Sequence, residues 1–349
     1  MFVIEGEGRG HMTQAVAIKE LLEEYGHTVC RVLVGTNGKR PMDIFRKYFG
    51  DIVTFESPNF IYTNNRQIDN TKTVVETLQN IPNYMLSLEI IDRELQEYQP
   101  DIVINFFEPI FSIYLWLHKK EILKFKSFSV GHQFMFHHPT YPKKWKRFYF
   151  QRKMADYWTA MAGYGSTKLA LSFYEASDYK DINVVPPILR KKLFEVDKIK
   201  KDGDYLLCYV INHDYVNEIK KSLRRHPIKT MIFCENADQQ TKDGLDIEFH
   251  NLNGDLFLEK MAGCKYVVCT AGFECVSEAR YLGKQVLMVP VRHHAEQFYN
   301  AIDASNQKIG IFQNRFTLGK LLKSKVSDNT EFRKWIDSYK NRFVKILSL

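Results

Sequence analysis

Residues 265–301, KYVVCTAGFECVSEARYLGKQVLMVPVRHHAEQFYNA, decide the fold. Residues 266–269 and 286–289 are short apolar runs rich in β-branched side chains and read as strands. Ala271-Gly272 breaks the first run, and residues 273–282 have helical spacing that ends at Gly283, a C-terminal cap. Strand, helix and strand at this length predict two parallel strands joined by a right-handed crossover. Sheets of this kind bind ligands at the carboxyl ends of their strands, and the unusual polar residues of the stretch gather there. Gly272 lets a backbone come close to a ligand, and the N–H groups opening the next helix suit a phosphate. Glu278 lies one turn beyond Glu274 on that helix. The loop after Pro290 carries His293, His294, Glu296 and Gln297, with Asn300 one turn after Glu296.

The run TAGFECVSEARYLGKQVLMVP followed by EQFYNA resembles the donor-nucleotide motif of GT-B glycosyltransferases. Its pattern is that of the branch containing the peptidoglycan N-acetylglucosaminyltransferase and its uncharacterised relatives. In that motif a Gly-rich turn holds a diphosphate, a helix carboxylate binds ribose hydroxyls, and a Glu-Gln pair touches the donor sugar. The resemblance implies those roles for Gly272 and Phe273, for Glu278, and for Glu296 and Gln297, with Asn300 in the same donor set. It also implies an α/β fold of two Rossmann-like domains facing a central cleft. Spacing alone fits a generic βαβ unit equally, with Gly272 only a turn and Glu278 solvated.

At 349 residues the chain is long for one core, and two domains is the natural division. Hydrophobic content of 45% with 26% charged residues is ordinary for a soluble globular protein. The net charge of +8 points to anionic partners, whether nucleotide phosphates, anionic lipid or nucleic acid, without choosing among them. Cys30, Cys208, Cys234, Cys264, Cys269 and Cys275 form no C-x-x-C pair and read as reduced, small apolar residues of a cytosolic protein. Glu5 and Arg9 interrupt the first ten residues, which therefore do not read as a signal peptide. No run approaches the roughly 18 apolar residues of a spanning helix. The expected setting is the cytoplasm, with any membrane contact peripheral, at the inner face.

Residues 2–5 form a short strand and GEGRGH follows at once. Met12, Ala15, Val16, Ile18, Leu21, Leu22 and Tyr25 then recur at helical spacing until Gly26, and residues 28–34 form the next strand. Gly6, Gly8 and Gly10 do not complete the dinucleotide fingerprint, because His11 stands where its third glycine belongs. The turn resembles instead the first loop of GT-B enzymes, which implies an acceptor-side role for Gly8, Gly10 and His11. A tight turn packing strand on helix would look the same. Residues 51–55 give a third strand, residues 71–98 a long amphipathic segment with a break at Pro82, and residues 102–104 a fourth strand. Glu108 follows that strand. Relatives often carry an acid two places earlier, where this chain has Phe106, so Glu108 is the carboxylate left there.

The strand at residues 127–130 leads into GHQFMFHHP, which places His132, His137 and His138 in one loop. Their spacing is not that of a zinc site, so no metal is expected and the loop is assigned to the acceptor side. Residues 143–158, KKWKRFYFQRKMADYW, interleave Lys143, Lys144, Lys146, Arg147, Arg152 and Lys153 with aromatics. Such a helix fits an anionic membrane surface, a single-stranded nucleic acid or plain packing on the sheet. Pro186-Pro187 and the charged run to Gly203 read as a linker. Asp202-Gly-Asp204 reads as a turn opening the strand at residues 205–211, and Asn212-His213 ends that strand. The expected division is an acceptor-side domain at 1–187, a linker at 188–203, a nucleotide-sugar domain at 204–328 and a terminal helix at 329–349. In GT-B proteins that helix often crosses back to the first domain.

The function this implies is transfer of a sugar from a nucleotide-diphosphate donor, UDP-sugar favoured, to a hydroxyl of a saccharide or lipid-linked acceptor. Inversion and no cofactor are expected, and no metal is needed because a helix start can stabilise the leaving diphosphate. The base is expected to be His11, which acts as general base or orients the acceptor, with His132, His137, His138 and Glu108 as its rivals. Two rivals stand beside this reading: a non-hydrolysing nucleotide-sugar 2-epimerase, and a nucleotide-sugar-binding partner subunit without turnover. A nucleic-acid partner is not expected, since no recognised module appears.

Overall fold

The computed structural model describes all residues except 39–41, 60, 62–68, 143–148, 200–202, 211–212 and 326. Of residues 70, 149–151 and 213–214 only the backbone is described. The chain divides into two compact units, Met1–Arg190 with Ser338–Leu349, and Lys191–Asp337.

The first unit is a seven-stranded parallel sheet: β1 (Phe2–Glu5), β2 (Val32–Thr36), β3 (Val53–Glu56), β4 (Ile102–Phe106), β5 (Lys126–Gly131), β6 (Thr167–Leu171) and β7 (Ile182–Val185). Its helices are α1 (Arg9–Glu24), α2 (Asp43–Phe49), α3 (Asn70–Gln79), α4 (Ile81–Tyr98), α5 (Pro109–Leu117) and α6 (Tyr149–Ala162). The strand order is β3-β2-β1-β4-β5-β6-β7. Helices on the faces of a parallel sheet bury its strands on both sides, so β2 is buried at every residue and shows no alternation. Val3, Leu33 and Val103 pack there with Leu88, Ile91 and Leu95 of α4 and with Ile110 and Phe111 of α5. Each such side chain contributes roughly 1.5–3 kcal/mol by leaving water.

The second unit opens with α7 (Lys191–Ile199) and continues β8 (Leu206–Tyr209), α8 (His213–Leu223), β9 (Thr230–Phe233), β10 (Ile247–His250), α9 (Gly254–Gly263) and β11 (Tyr266–Cys269). It closes with α10 (Phe273–Tyr281), β12 (Gln285–Met288), α11 (Ala295–Asn306), β13 (Ile311–Phe312), α12 (Gly319–Lys323) and α13 (Thr330–Asp337). The six strands are parallel in the order β10-β9-β8-β11-β12-β13. Counted within each unit, the sheets run 3-2-1-4-5-6-7 and 3-2-1-4-5-6, and in both the order reverses between the first and fourth strands. That reversal is where doubly wound sheets bind ligands. The α/β fold of two Rossmann-like sheets expected from the sequence is therefore present.

Several local details differ from the sequence reading. The long helical segment breaks at Asn80, and Pro82 sits in the first turn of α4, where its missing N–H costs no hydrogen bond. The charged run after Pro187 is helical as α7, with Leu193 and Val196 buried. The terminal helix is two helices, α13 in the second unit and α14 (Tyr339–Leu347) in the first. In the first unit Arg342 of α14 donates to the Val184 carbonyl at 3.0 Å. Of the basic-aromatic segment, Lys143, Lys144, Lys146 and Arg147 lie outside the described residues. Arg152 of α6 is buried, 4.3 Å above the Phe136 ring, bonded to the Phe136 carbonyl and paired with Asp156. Asp202 and Asn212 also lie outside the described residues.

Candidate functional site

The second unit's candidate site begins at the end of β11. Ala271 is buried with φ of 61°, a left-handed conformation that few alanines adopt. Asn300 of α11 donates to its carbonyl at 3.4 Å and so pins the turn from the neighbouring helix. Gly272 then caps α10 with no side-chain acceptor to offer the helix's first N–H groups. A Cβ on Gly272 would meet nothing within 4 Å. The turn thus presents open backbone at the positive end of α10, the geometry that accepts an anion.

The other residues expected to bind a donor lie on α10 and at the start of α11. Phe273, Glu274 and Glu278 are buried on α10. The Gln297 side-chain oxygen accepts from the Val291 N–H at 3.0 Å, while the Gln297 N–H reaches His294 Nδ1 at 3.4 Å. These bonds fix the loop after β12 against the start of α11. Glu296, in the first turn of α11, is half-buried. His294 is held below the usual histidine range by burial, whereas His293 is exposed with φ of 63°.

In the first unit the corresponding loops follow β1 and β4. Gly6 is required by packing, since a Cβ there would lie 2.5 Å from the Gly35 carbonyl oxygen. Gly8 caps α1, and Gly10 lies in its first turn. Glu5 organises the turn: its two carboxylate oxygens accept from the N–H groups of Glu7 at 2.8 Å and Gly8 at 3.2 Å. His11 is the third residue of α1, with Nε2 3.9 Å from Glu5 Oε2. Its ring stacks on Phe107 at 5.6 Å and 6°. Phe107, in the turn after β4, has φ of 61°. Glu5 and Phe107 were not singled out in the sequence. The signal for Glu5 was its place just before the Gly-rich turn, and Phe107 gave none.

Glu108 is fully buried and caps α5, accepting from Ser57 Oγ at 2.5 Å and from the Phe111 N–H at 2.9 Å. Burial pushes its pKa up to about 8 even against those two bonds. At neutral pH it carries its proton, so it is poorly suited to take another. His132 is also buried; its Nδ1 lies 2.6 Å from the Leu171 carbonyl oxygen, and burial lowers its pKa to about 4. His138 is held by Thr140 and the Ser177 carbonyl. His137 is half-buried, and burial lowers its pKa too. The residues from 132 to 137 form a 3-10 helix that His138 follows. Among the described residues no group of three His, Cys, Asp or Glu side chains could hold a metal ion.

The family model described as "Glycosyl transferase family 1" matches residues 1–324. No curated protein matches the sequence. Among solved structures, LpCGTa in complex with UDP is 11% identical, with 99% of this chain and 97% of that one covered and a TM-score of 0.66. Phytolacca americana UGT2, complexed with UDP-2fluoro-glucose and pterostilbene, gives 12% identity, coverage of 99% and 98%, and a TM-score of 0.63. Acinetobacter baumannii MurG gives 13%, coverage of 99% of both chains, and 0.56.

Proposed function

Because the chain belongs to glycosyl transferase family 1, we propose that it moves a sugar from a nucleotide-diphosphate donor to an acceptor hydroxyl with inversion and without a metal. It is a glycosyltransferase of the GT-B fold. The observation that carries the donor assignment is the open Gly272 turn at the start of α10, the helix of Glu278, with Asn300 of α11 bonded to the turn and Glu296 and Gln297 on that same helix. UDP-sugar is the favoured donor; the complexes of LpCGTa and Phytolacca americana UGT2 with uridine nucleotides support that choice. A saccharide or lipid-linked acceptor is assigned to the domain at 1–187, through the loops of Gly8, Gly10, His11 and residues 137–138.

The chemistry follows from where charge moves. As the bond from the sugar's anomeric carbon to phosphate breaks, negative charge grows on the diphosphate and α10 meets it with N–H donors and its dipole. The acceptor oxygen attacks the opposite face of that carbon and gives its proton to a base. His11 stays the favoured base: Glu108 already carries a proton, His132 is bonded into the core, and His138 is held by Thr140 and the Ser177 carbonyl. Glu278 is assigned to the ribose and Glu296 with Gln297 to the sugar. A cytoplasmic setting belongs to the same reading and is supported by six free thiols.

A thermal-shift series across UDP-, GDP- and TDP-sugars tests the donor. A bound ligand stabilises the fold by mass action, about 2.7 kcal/mol at a hundred times its Kd. A rise in Tm with UDP-sugars, followed by release of UDP when an acceptor is added, is expected. No shift with any nucleotide-sugar sinks the assignment.

A further inference from the structure

In the first unit, the turn joining α5 to β5 carries an exposed surface that is both apolar and basic. α5 runs back from the end of β4, so this turn lies at the edge where the strands begin, the far end of the sheet from Gly6, His11 and Phe107. Trp116 is 51% exposed, Leu117 48% and Ile122 97%. Lys119, Lys120, Lys124 and Lys126 are exposed among them, with Glu121 as the acid of the turn. The Lys119 ammonium lies 5.1 Å from the centre of the Trp116 ring. Asp101 is a second acid at this edge, its carbonyl accepting from the Lys126 N–H.

The turn is anchored from beneath. Leu123 and Phe125 pack on the core, and the Glu121 N–H donates to the His118 carbonyl at 2.9 Å. The neighbouring turn between α6 and β6 adds Tyr164, 41% exposed. Gly165 there lies against Leu115, and Ser166 Oγ is 2.6 Å from Ser127 Oγ, so the two turns form one surface.

We propose that this surface docks the protein on an anionic lipid bilayer. Trp116, Leu117, Ile122 and Tyr164 enter the headgroup boundary, where amphipathic aromatics concentrate, and the lysines meet lipid phosphates. Charge selects the lipid over a second copy of this chain, because a two-fold contact would bring the same lysines face to face. Docking by this edge leaves the loops of His11 and Phe107 about 17–20 Å further out, a five- or six-residue strand away. It therefore anchors the protein without engaging its acceptor residues.

Co-sedimentation with vesicles tests the proposal without any turnover assay. Vesicles of equal parts phosphatidylglycerol and phosphatidylcholine should bind the protein at low salt and release it as salt rises, and phosphatidylcholine alone should not bind it. Lys119→Gln with Lys120→Gln and Lys124→Gln should weaken binding about 100-fold, at roughly fivefold per cation. Ile122→Asp should also weaken it, and at 97% exposure the change should leave the fold intact. Lys320→Gln with Lys323→Gln, two exposed lysines of the second unit, should leave binding within about twofold. The proposal fails if the mixed vesicles bind nothing, or if the triple variant binds as well as the parent. Equal loss in the Lys320 and Lys323 control would reduce the effect to bulk charge. A self-association in sedimentation velocity that Ile122→Asp abolishes would assign the surface to a second copy instead.

Discussion

Gly6 and Gly272 stand at the switch points of their sheets, one after β1 and the other after β11, yet they are there for different reasons. Gly6 has a neighbour's carbonyl 2.5 Å from where a Cβ would sit, and its loop is closed over by Glu5, His11 and Phe107. Gly272 has nothing within 4 Å and an ordinary φ of −66°. The first glycine is demanded by the protein's own packing. The second leaves room in front of a helix start, which the fold by itself does not need. The buried acids differ in the same way. Glu108 of the first unit is bonded to Ser57 and Phe111, whereas burial alone raises Asp303 of the second, and no described residue partners its Oδ2.

The largest expected effect tests whether the first unit supplies the base. His11→Ala should lower turnover about 10²–10⁴-fold while the nucleotide's Kd stays put, measured by steady-state kinetics beside calorimetry. A matching loss of nucleotide affinity would end the division of roles between the units.

The buried acids come next. The Asp303 pKa of about 7 in the fold lies above its ordinary 3.8. Above pH 4 an unfolded chain ionises this group and the fold does not, so stability falls as pH rises to about 7. The full loss is about 4 kcal/mol at 1.36 kcal/mol per pH unit. Asp303→Asn should match the parent near pH 4 and exceed it at pH 8 in urea unfolding. Glu108 has the same sign over pH 4.5 to 8, but Glu108→Gln should gain less, because it disturbs a cap that Asp303 does not provide. Equal gains would erase the distinction between a bonded and a lone buried acid.

Donor binding should respond to the second unit alone. Glu278→Ala should weaken nucleotide binding by about 1.5–3 kcal/mol, the range of a charge-assisted hydrogen bond. Unchanged affinity in a folded variant removes Glu278 from the site. The glycines themselves give a smaller, paired effect. Gly6→Ala should cost about 1–3 kcal/mol of stability by overpacking, whereas Gly272→Ala should stay within about 0.5 kcal/mol in stability and weaken only the nucleotide. A similar drop in Tm for both would make Gly272 a packing glycine after all. The smallest expected effect is none: excess EDTA should leave turnover unchanged, and loss reversed by magnesium or manganese would overturn the helix-based account of the leaving group.

The sequence by itself determined the βαβ pattern and the second unit's turn, because both are local. The strand at residues 266–269 was read with the limits the structure gives it, and Gly272, Glu278 and Asn300 lie within one contiguous stretch whose period and punctuation are visible in the letters. Just past that stretch, on the same helix as Asn300, Asp303 went unremarked, since a carboxylate on a helix looks solvated until its neighbours are known. The tertiary structure alone decided the fate of side chains whose surroundings come from distant segments. Glu108 looked like a carboxylate at a strand end, and Ser57, fifty-one residues away, completes its burial. His132 is held by Leu171, thirty-nine residues on, and Arg152 by the Phe136 carbonyl, sixteen residues back. Phe107 lies on His11 only because β1 and β4 are neighbours in the sheet, a pairing of residues such as Phe2 and Ile104 from far apart in the chain. A periodicity encodes which face of an element is buried. It does not encode which residue from another element arrives there, and burial with its partners sets the charge and reach of every candidate group.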